Sequence, residues 1–201
     1  TETLDLLHIP KKKRLSSKFY RHIQCSELFV TDHPYVITND ASHDIQNIPK
    51  WIFEWLKEKF IEDKSHNENF GEKIYIDRSD SASNVKHLRS IINEKEVKEL
   101  MDENGFESVV LGKLNFADQV KIFNRAKTIV GLHGAGFANL CFCNPKTKVV
   151  ELKSNSAGKM IENLAITNKL EYQSVSSQAS EQNTNQFGHI NVSIDELKKL
   201  I

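Results

Sequence analysis

The sequence has little cysteine, proline and glycine, and it has no net charge. Its 201 residues include three Cys, four Pro and eight Gly, with 27 basic against 27 acidic side chains. The composition, 39% hydrophobic, excludes a collagen-like or disordered chain and indicates one or two globular domains. Equal charge removes the basic excess that nucleic-acid or anionic-membrane binding requires. We therefore expect no nucleic-acid partner, and any anionic ligand has to be held by local groups.

Long apolar runs are also missing. No stretch approaches the roughly 20 apolar residues of a membrane-spanning helix, and Thr1 to Arg14 contain no apolar signal-peptide core. Cys141 and Cys143 have no second pair and no nearby histidine at metal-ligand spacing, so we predict buried thiols at a helix end and no metal site. Three cysteines cannot form a paired secreted framework, which favours a reducing, cytoplasmic location.

The N-terminal third contains one strong helix signal. Pro49 suits a first helical turn, and the spacing of the apolar residues that follow predicts a helix with one apolar stripe. The stripe consists of Ile48, Trp51, Ile52, Trp55, Leu56 and Phe60. Leu28 to Val30 and Tyr35 to Ile37 are interpreted as short strands. A polar linker over residues 62–71 predicts a domain boundary, which divides the chain into 1–67 and 68–201.

The remainder alternates short β-rich runs with amphipathic helices. The predicted strands are Lys73–Asp77, Ser108–Leu111, Thr128–Leu132, Lys148–Leu152, Glu171–Val175 and His189–Val192. Three residue pairs predict helix N-caps: Asn93 with Glu96, Asn115 with Asp118, and Ser193 with Glu196. Gly105 is positioned to end the first of these helices in a left-handed conformation. Strand and helix in repeated alternation predict an α/β fold, a Rossmann-like parallel sheet flanked by helices.

Three of the eight glycines fall where a predicted strand meets a helix, in the run from Gly131 to Gly136. Such a turn lets backbone N–H groups approach an anion, and the helix dipole adds positive charge, so phosphate is the natural ligand. The spacing is neither the dinucleotide fingerprint nor a P-loop, and the chain lacks the Gly-x-Ser-x-Gly elbow of a serine hydrolase. A purely structural strand-to-helix turn is an equally good interpretation.

Other polar residues follow strand ends at the same predicted edge. Arg78 comes directly after a strand and Arg89 precedes a helix, and two arginine forks at one edge suit a diphosphate. Solvated surface arginines are the alternative. Glu151 could accept hydrogen bonds from a ribose diol, or be an ordinary strand-end charge. His133 is a candidate base, a phosphate-orienting group or a structural histidine.

These motifs, taken in order, resemble glycosyltransferase family 61. The resemblance covers about residues 70 to 175, and more loosely the segment from Arg21 to Phe60. The motifs that carry it are Tyr75-Ile76-Asp77-Arg78, Arg89-Ser90-Ile91-Ile92-Asn93-Glu94, Phe116-Ala117-Asp118-Gln119, Ile129-Val130-Gly131-Leu132-His133-Gly134-Ala135-Gly136 with Asn139, and Val149-Val150-Glu151-Leu152.

The resemblance implies a metal-independent, inverting transferase of the GT-B type, with a nucleotide-sugar donor and a glycan or protein acceptor. A UDP-sugar is favoured as donor, no further cofactor is expected, and the implied setting is capsular or other polysaccharide assembly. Residues 68–201 would form the donor lobe, with 1–67 from the partner lobe, because two full lobes need about 250 residues or more. A homo-oligomer that completes the acceptor side is compatible with this reading.

Site roles follow from the same resemblance. It implies donor-diphosphate binding by Arg78 and Arg89, phosphate and sugar binding by the turn His133-Gly134-Ala135-Gly136, and ribose binding by Glu151. Asn93, Glu94 and Asn139 match family motifs and join the substrate-binding set, although a cap explains Asn93 and Glu94 equally well. His133 is the candidate catalytic base.

Two other hypotheses remain open at this point. One is a non-catalytic nucleotide- or carbohydrate-binding module with the same fold. The other is a Rossmann-like scaffold whose glycine turn has only a structural role.

Overall fold

The computed structural model describes residues 2–33, 38, 40–61, 70–80, 89–179 and 189–201. Within them the strands are β1 (Lys73–Asp77), β2 (Glu107–Val110), β3 (Thr128–Leu132), β4 (Lys148–Ser154) and β5 (Glu171–Ser177). The α-helices are α1 (Glu2–Leu6), α2 (Ala41–Gln46), α3 (Lys50–Phe60), α4 (Glu94–Glu103), α5 (Phe116–Arg125), α6 (Met160–Thr167) and α7 (Ile194–Leu200). Short 3₁₀ helices cover Lys11–Lys13, Leu111–Lys113 and Ala135–Phe142.

The five strands form one parallel sheet in the order β2-β1-β3-β4-β5. The chain moves outward from β1 to β2, then returns past β1 to β3 and continues in the opposite direction. The order therefore reverses between β1 and β3, which is where open parallel sheets bind ligands, beyond the carboxyl ends of the strands. The predicted Rossmann-like α/β fold is confirmed.

Apolar side chains cover both faces of the sheet. Ile74, Ile129 and Val149 pack on one face against α3, α5, α6 and the 3₁₀ helix Ala135–Phe142, and Tyr75 and Val130 pack on the other with α4 and α7. Alternate residues of a strand point to opposite faces, so a strand buried on both sides is apolar throughout. This is why these strands could be predicted from short apolar runs.

The N-terminal helices share the first of these cores. Helix α3 begins after Pro49 as predicted, but its buried aromatic residues are Phe53 and Phe60, whereas Trp51 and Trp55 are 57% and 39% exposed. The predicted stripe was therefore wrong about the tryptophans, because the helix is rotated to bury Phe53. Phe60 makes edge-to-face contacts with Phe116 and Phe142. The predicted boundary near residue 68 lies outside the described residues.

Two predicted strands are absent from the structure, and a third cannot be compared. Leu28 to Val30 are exposed and have no strand partner within the described residues. His189–Val192 is an extended segment rather than a strand: Ile190 alone forms bridges, to Ile91 and Ala179. Residues 35–37 lie outside the described residues. Apolar alternation predicts an extended conformation but does not supply a neighbouring edge for pairing.

Three of the four predicted helix-end devices are confirmed. Asn115 Oδ1 accepts a hydrogen bond from Asp118 N at 2.7 Å, and Ser193 Oγ accepts one from Glu196 N at 3.3 Å. Gly105 adopts the left-handed conformation with φ of 73°. The Asn93 cap was wrong: its side chain makes no capping bond and instead exchanges two hydrogen bonds with the backbone of Val192, at 2.9 and 3.0 Å. The Asn93 side-chain amide therefore joins the start of α4 to the segment before α7.

Two further observations concern the cysteines and the membrane. Cys141 and Cys143 are buried at the end of the 3₁₀ helix Ala135–Phe142, as predicted, and Cys25 is exposed. In the part of the chain that the structure describes, every helix is too short or too polar to cross a bilayer.

Candidate functional site

The candidate site lies at the carboxyl ends of β1 and β3, where the strand order reverses. Arg78 follows β1 directly, and His133 follows β3. His133 N continues the ladder by donating to Leu152 O of β4 at 2.8 Å. The backbone then leaves the sheet through Gly134 and enters the 3₁₀ helix Ala135–Phe142.

Both predicted arginines converge on the backbone of this turn. Arg78 Nη1 donates to the carbonyl oxygen of His133 at 3.3 Å, and Arg89 Nη1 donates to the same oxygen at 3.1 Å. Burial lowers the pKa of Arg89, the positive charge of Arg78 adds to this effect, and Glu151 opposes it. Arginine remains protonated in proteins, so the two guanidinium groups concentrate positive charge at one point of the crevice.

The missing side chains of Gly134 and Gly136 make room for different groups. A Cβ atom at Gly134 would lie 3.1 Å from Arg78 Nη1, so the missing side chain gives the guanidinium its room. A Cβ atom at Gly136 would lie 3.0 Å from Leu111 Cδ1 and 3.3 Å from Ile76 Cγ2, which are core atoms. Gly134 is therefore required by the site, and Gly136 by the packing beneath it.

A cavity of about 110 Å³ lies between the two strand ends. Its lining consists of Ile76, Asp77, Arg78, Asp80, Leu111, Leu132, Gly134, Gly136 and Phe137. Pockets for whole small molecules usually measure about 300 Å³ or more, so this cavity has room for only part of a nucleotide-sugar. Asp80, which the sequence analysis did not single out, is the exposed carboxylate of its wall, and Asp80 Oδ2 accepts a hydrogen bond from Gly112 N at 2.9 Å.

Glu151 lies beneath the turn and not in the cavity wall. It is 0% exposed, and His133 is 2% exposed. Glu151 Oε1 is hydrogen-bonded to His133 Nδ1, and Oε2 accepts a hydrogen bond from the Tyr172 hydroxyl. A buried carboxylate is tolerated only when it is paired and hydrogen-bonded, and these contacts meet that requirement.

Sequence reasoning missed two members of this buried group, Tyr172 and Lys153. Lys153 Nζ lies 3.8 Å from Glu151 Oε2 and 3.2 Å from the Tyr172 hydroxyl. One signal in the sequence could have identified them. Two charged residues, at positions 151 and 153, lie on one face of a strand whose other central residues, Val149, Val150 and Leu152, are apolar, which indicates a polar partner on the neighbouring strand.

Asn139 and Ala135 lie on the 3₁₀ helix that follows the turn. Asn139 Nδ2 donates to Gln119 Oε1 of α5 at 3.1 Å and to Gly136 O at 3.3 Å. It therefore braces the turn against α5. Ala135 is exposed at the start of this helix.

Asn93 and Glu94 begin α4 and contact other groups. Besides the bonds of Asn93 to Val192, Glu94 forms an ion pair with Lys98 at 3.2 Å, and Lys98 also pairs with Asp77 at 3.0 Å. Asp77 is the last residue of β1, so this pair of salt bridges ties the start of α4 to the strand that precedes Arg78. The two residues thus support the edge of the site, and within the described contacts neither one bonds to Arg78, Arg89 or His133.

The family model for Glycosyltransferase 61 matches residues 1–150, about three quarters of the chain. The chain belongs to glycosyltransferase family 61. The match includes Arg78, Arg89 and the turn from His133 to Gly136, and it ends one residue before Glu151. Curated proteins gave no significant match. Membership in family 61 supports glycosyltransferase activity as the general class, which implies a sugar donor and an acceptor as substrates.

Within the described residues of this family 61 chain, no three His, Cys, Asp or Glu side chains are grouped closely enough to hold a metal ion. Among the described residues, the charged groups at this sheet edge include the two arginines, Asp77, Asp80 and Glu151 with its hydrogen-bond partners.

Proposed function

We propose that the chain transfers a sugar from a nucleotide-diphosphate donor, preferably a UDP-sugar, to a hydroxyl of a glycan or protein, with inversion and without a metal. Family membership supports the transfer of a sugar. The observation that carries the donor class is the convergence of Arg78 and Arg89 on the His133 carbonyl. Guanidinium forks pair with phosphate oxygens in a bidentate manner, and two of them can neutralise a diphosphate.

In this proposal Arg78 and Arg89 bind the donor diphosphate at the mouth of the cavity. The backbone from Gly134 to Gly136 lies alongside the phosphate and the sugar, and Asn139 keeps that backbone against α5. Asn93 and Glu94 contribute through the start of α4. The cavity of about 110 Å³ then accommodates one end of the donor, while the rest extends over the strand ends.

The ribose diol needs an accessible acceptor. The resemblance implies that Glu151 binds the ribose, but its carboxylate is fully buried and hydrogen-bonded on both oxygens. To bind the ribose, this carboxylate would have to become accessible. Asp80 offers an exposed carboxylate in the same crevice, with only Oδ2 engaged by the Gly112 N–H in the described contacts. We therefore propose Asp80 for the hydroxyl contact, with Glu151 acting from below through His133.

His133 is the proposed general base. With Nδ1–H held by the Glu151 carboxylate, Nε2 carries the lone pair that can accept a proton, as in other histidine–carboxylate pairs. The acceptor oxygen attacks the anomeric carbon, its proton passes to Nε2, and the bond to the diphosphate oxygen breaks with the electron pair leaving on the nucleotide. Because the ring is only 2% exposed, the acceptor hydroxyl has to enter the turn to reach it.

The same small exposure favours a second candidate, a nucleotide- or carbohydrate-binding module without turnover. Such a module would use the arginine pair and the glycine turn but would need no accessible base. Donor binding without sugar transfer and without slow donor hydrolysis would support it over the transferase.

Isothermal titration with UDP, GDP and CMP tests the donor assignment. We expect UDP to bind, and we expect Arg78→Ala and Arg89→Ala to weaken binding by about 10-fold or more, the loss of a charge-assisted contact. Arg21→Ala is the matched control because Arg21 is exposed and, among the described contacts, makes no hydrogen bond or ion pair with the turn. No binding of any nucleotide, or equal binding by all the variants, would refute the assignment. Transfer that persists in excess chelator is the expected result for a metal-independent reaction.

We further propose the setting that goes with this reaction. Residues 68–201 act as the donor lobe of a GT-B enzyme, residues 1–67 belong to the acceptor side, and the enzyme works in the cytoplasm on polysaccharide assembly. Size-exclusion chromatography with light scattering would establish whether a second copy completes the acceptor side.

A further inference from the structure

The buried carboxylate of Glu151 connects the candidate site to two side chains that lie beyond the end of the family match. Tyr172 lies on β5 and Lys153 on β4, and both follow the end of the family match at residue 150. Tyr172 donates to Glu151 Oε2, and Lys153 Nζ reaches both that oxygen, at 3.8 Å, and the Tyr172 hydroxyl, at 3.2 Å. The three side chains form one polar group under the turn.

The strand register explains why they meet. Glu151 and Lys153 are two residues apart on β4 and so point to the same face of the sheet. Tyr172 pairs with Val149 across β4 and β5, which places its ring on that face as well. The ring of Tyr172 lies with its centroid 5.8 Å from Lys153 Nζ, and the Lys153 side chain is only 12% exposed.

The chemistry of the group requires each donor to stay in place. An ionised carboxylate without water needs hydrogen-bond donors on both oxygens, and removing one leaves an unsatisfied charge. Burial raises the pKa of the Tyr172 hydroxyl, and the hydrogen bond to Glu151 raises it further, so the phenol keeps its proton at any working pH. Oε2 therefore has a permanent donor, and Oε1 remains available to His133 Nδ1.

We propose that Tyr172 and Lys153 are positioning residues for the arginine site, an inference that rests on the proposed donor-binding function. They act through Glu151, which fixes the His133 ring and with it the His133 peptide group. That peptide carries the carbonyl oxygen to which Arg78 and Arg89 both bond. Loosening the carboxylate lets the peptide rotate and moves the point on which the two guanidinium groups converge.

The decisive variant is Tyr172→Phe, which removes one hydroxyl and keeps the ring. We expect the Kd for UDP to rise about 10-fold, the size of one lost hydrogen bond to a charged group, and kcat to fall as well because Glu151 also holds the proposed base His133. Tyr75→Phe is the matched control, because it removes the same hydroxyl from a buried tyrosine on the other face of the sheet. We expect it to leave the Kd unchanged.

Lys153 supplies an independent check with a rescue. Lys153→Met keeps the apolar stem but removes the charge, and we expect the Kd for UDP to rise severalfold. Lys153→Arg should restore most of the affinity because a cation again faces Glu151. A merely structural role would lower the stability of Lys153→Met without changing the nucleotide affinity of the folded protein.

A ligand-free measurement separates this inference from the donor assignment. The side-chain N–H resonances of Arg78 and Arg89, assigned from their alanine variants, should shift in Tyr172→Phe and stay in place in Tyr75→Phe. If they stay in place in both variants, or if UDP binding is lost in Arg78→Ala but unchanged in Tyr172→Phe, the positioning role is wrong. If wild-type protein binds no nucleotide while the resonances do shift, the positioning role holds and the donor assignment fails.

Discussion

A methyl group added at Gly134 tests the arginine site with a very small change. The new Cβ would lie 3.1 Å from Arg78 Nη1, closer than an ordinary contact, and 3.5 Å from Arg78 Cζ, which is an ordinary contact. Gly134 has an extended φ of 167°, so alanine fits the backbone without strain. The guanidinium has to move by a few tenths of an ångström, and its bond to His133 O, already 3.3 Å long, would then exceed hydrogen-bond distance.

The size of the effect follows from what is displaced. A hydrogen bond to a charged group contributes about 1.5–3 kcal/mol, and a guanidinium that shifts without leaving forfeits only part of this. We expect a loss of about 1 kcal/mol, roughly fivefold in UDP affinity. Because the contacted atoms are the end of a flexible side chain, the free energy of unfolding should change by less than about 0.5 kcal/mol.

Gly136→Ala is the matched comparison within the same turn. Its Cβ would meet packed core atoms of Leu111 and Ile76, so we expect a loss of about 1–3 kcal/mol in the free energy of unfolding and little change in UDP affinity per folded molecule. Isothermal titration and urea unfolding on both variants give the two numbers. If Gly134→Ala binds UDP within twofold of wild type, or is destabilised as much as Gly136→Ala, the division of roles is refuted.

Three further predictions concern stability and thiol reactivity. Burial would raise the pKa of Asp77, but Lys98 lowers it overall, so Lys98→Met should cost about 0.5–1 kcal/mol near pH 7. In urea unfolding at decreasing pH, this difference from wild type should shrink only below the ordinary pKa of 3.8, as the pH falls through the lowered pKa of folded Asp77. Asn115→Ala should lose about 1 kcal/mol with its cap, which the urea midpoint will report; an unchanged midpoint would contradict the capping role. Ellman's reagent at about pH 8 should label only Cys25 in the native protein, since burial raises the pKa of Cys141 to about 12; a second reactive thiol would show that the core opens.

The fold was predictable because its strands carry a strong local signal. Runs such as Ile129-Val130 and Val149-Val150 are apolar on both faces, and each is followed by a turn and an amphipathic helix. The rotation of α3 was not predictable from periodicity, because tryptophans and phenylalanines fit an apolar stripe equally well. Phe60 belonged to the predicted stripe, but the burial of Phe53 in place of the tryptophans is decided by packing against the core that contains Phe60, Phe123 and Phe142.

The position of the candidate site at one edge of the sheet could be predicted from the sequence, but the contacts within it could not. Residues that follow parallel strands meet at one edge, so Arg78 and the turn after β3 could be expected to lie together. The depth of Glu151 could not be expected, because a charge at the end of an apolar run is normally a surface group. Its burial depends on Tyr172, which is 21 positions away in sequence and is brought alongside only by the pairing of β4 with β5. Non-local pairing of this kind leaves no local pattern.

The oxygen on which both arginines converge belongs to the main chain. Every amino acid has a backbone carbonyl, so replacing residue 133 leaves the acceptor of both hydrogen bonds in place. An alanine scan through the turn would therefore measure the contribution of the His133 ring but not that of its carbonyl oxygen. Loss of function at position 133 would therefore report on the ring and its carboxylate partner. To disturb the carbonyl itself, an experimenter has to change its neighbours or replace the amide with an ester by chemical synthesis.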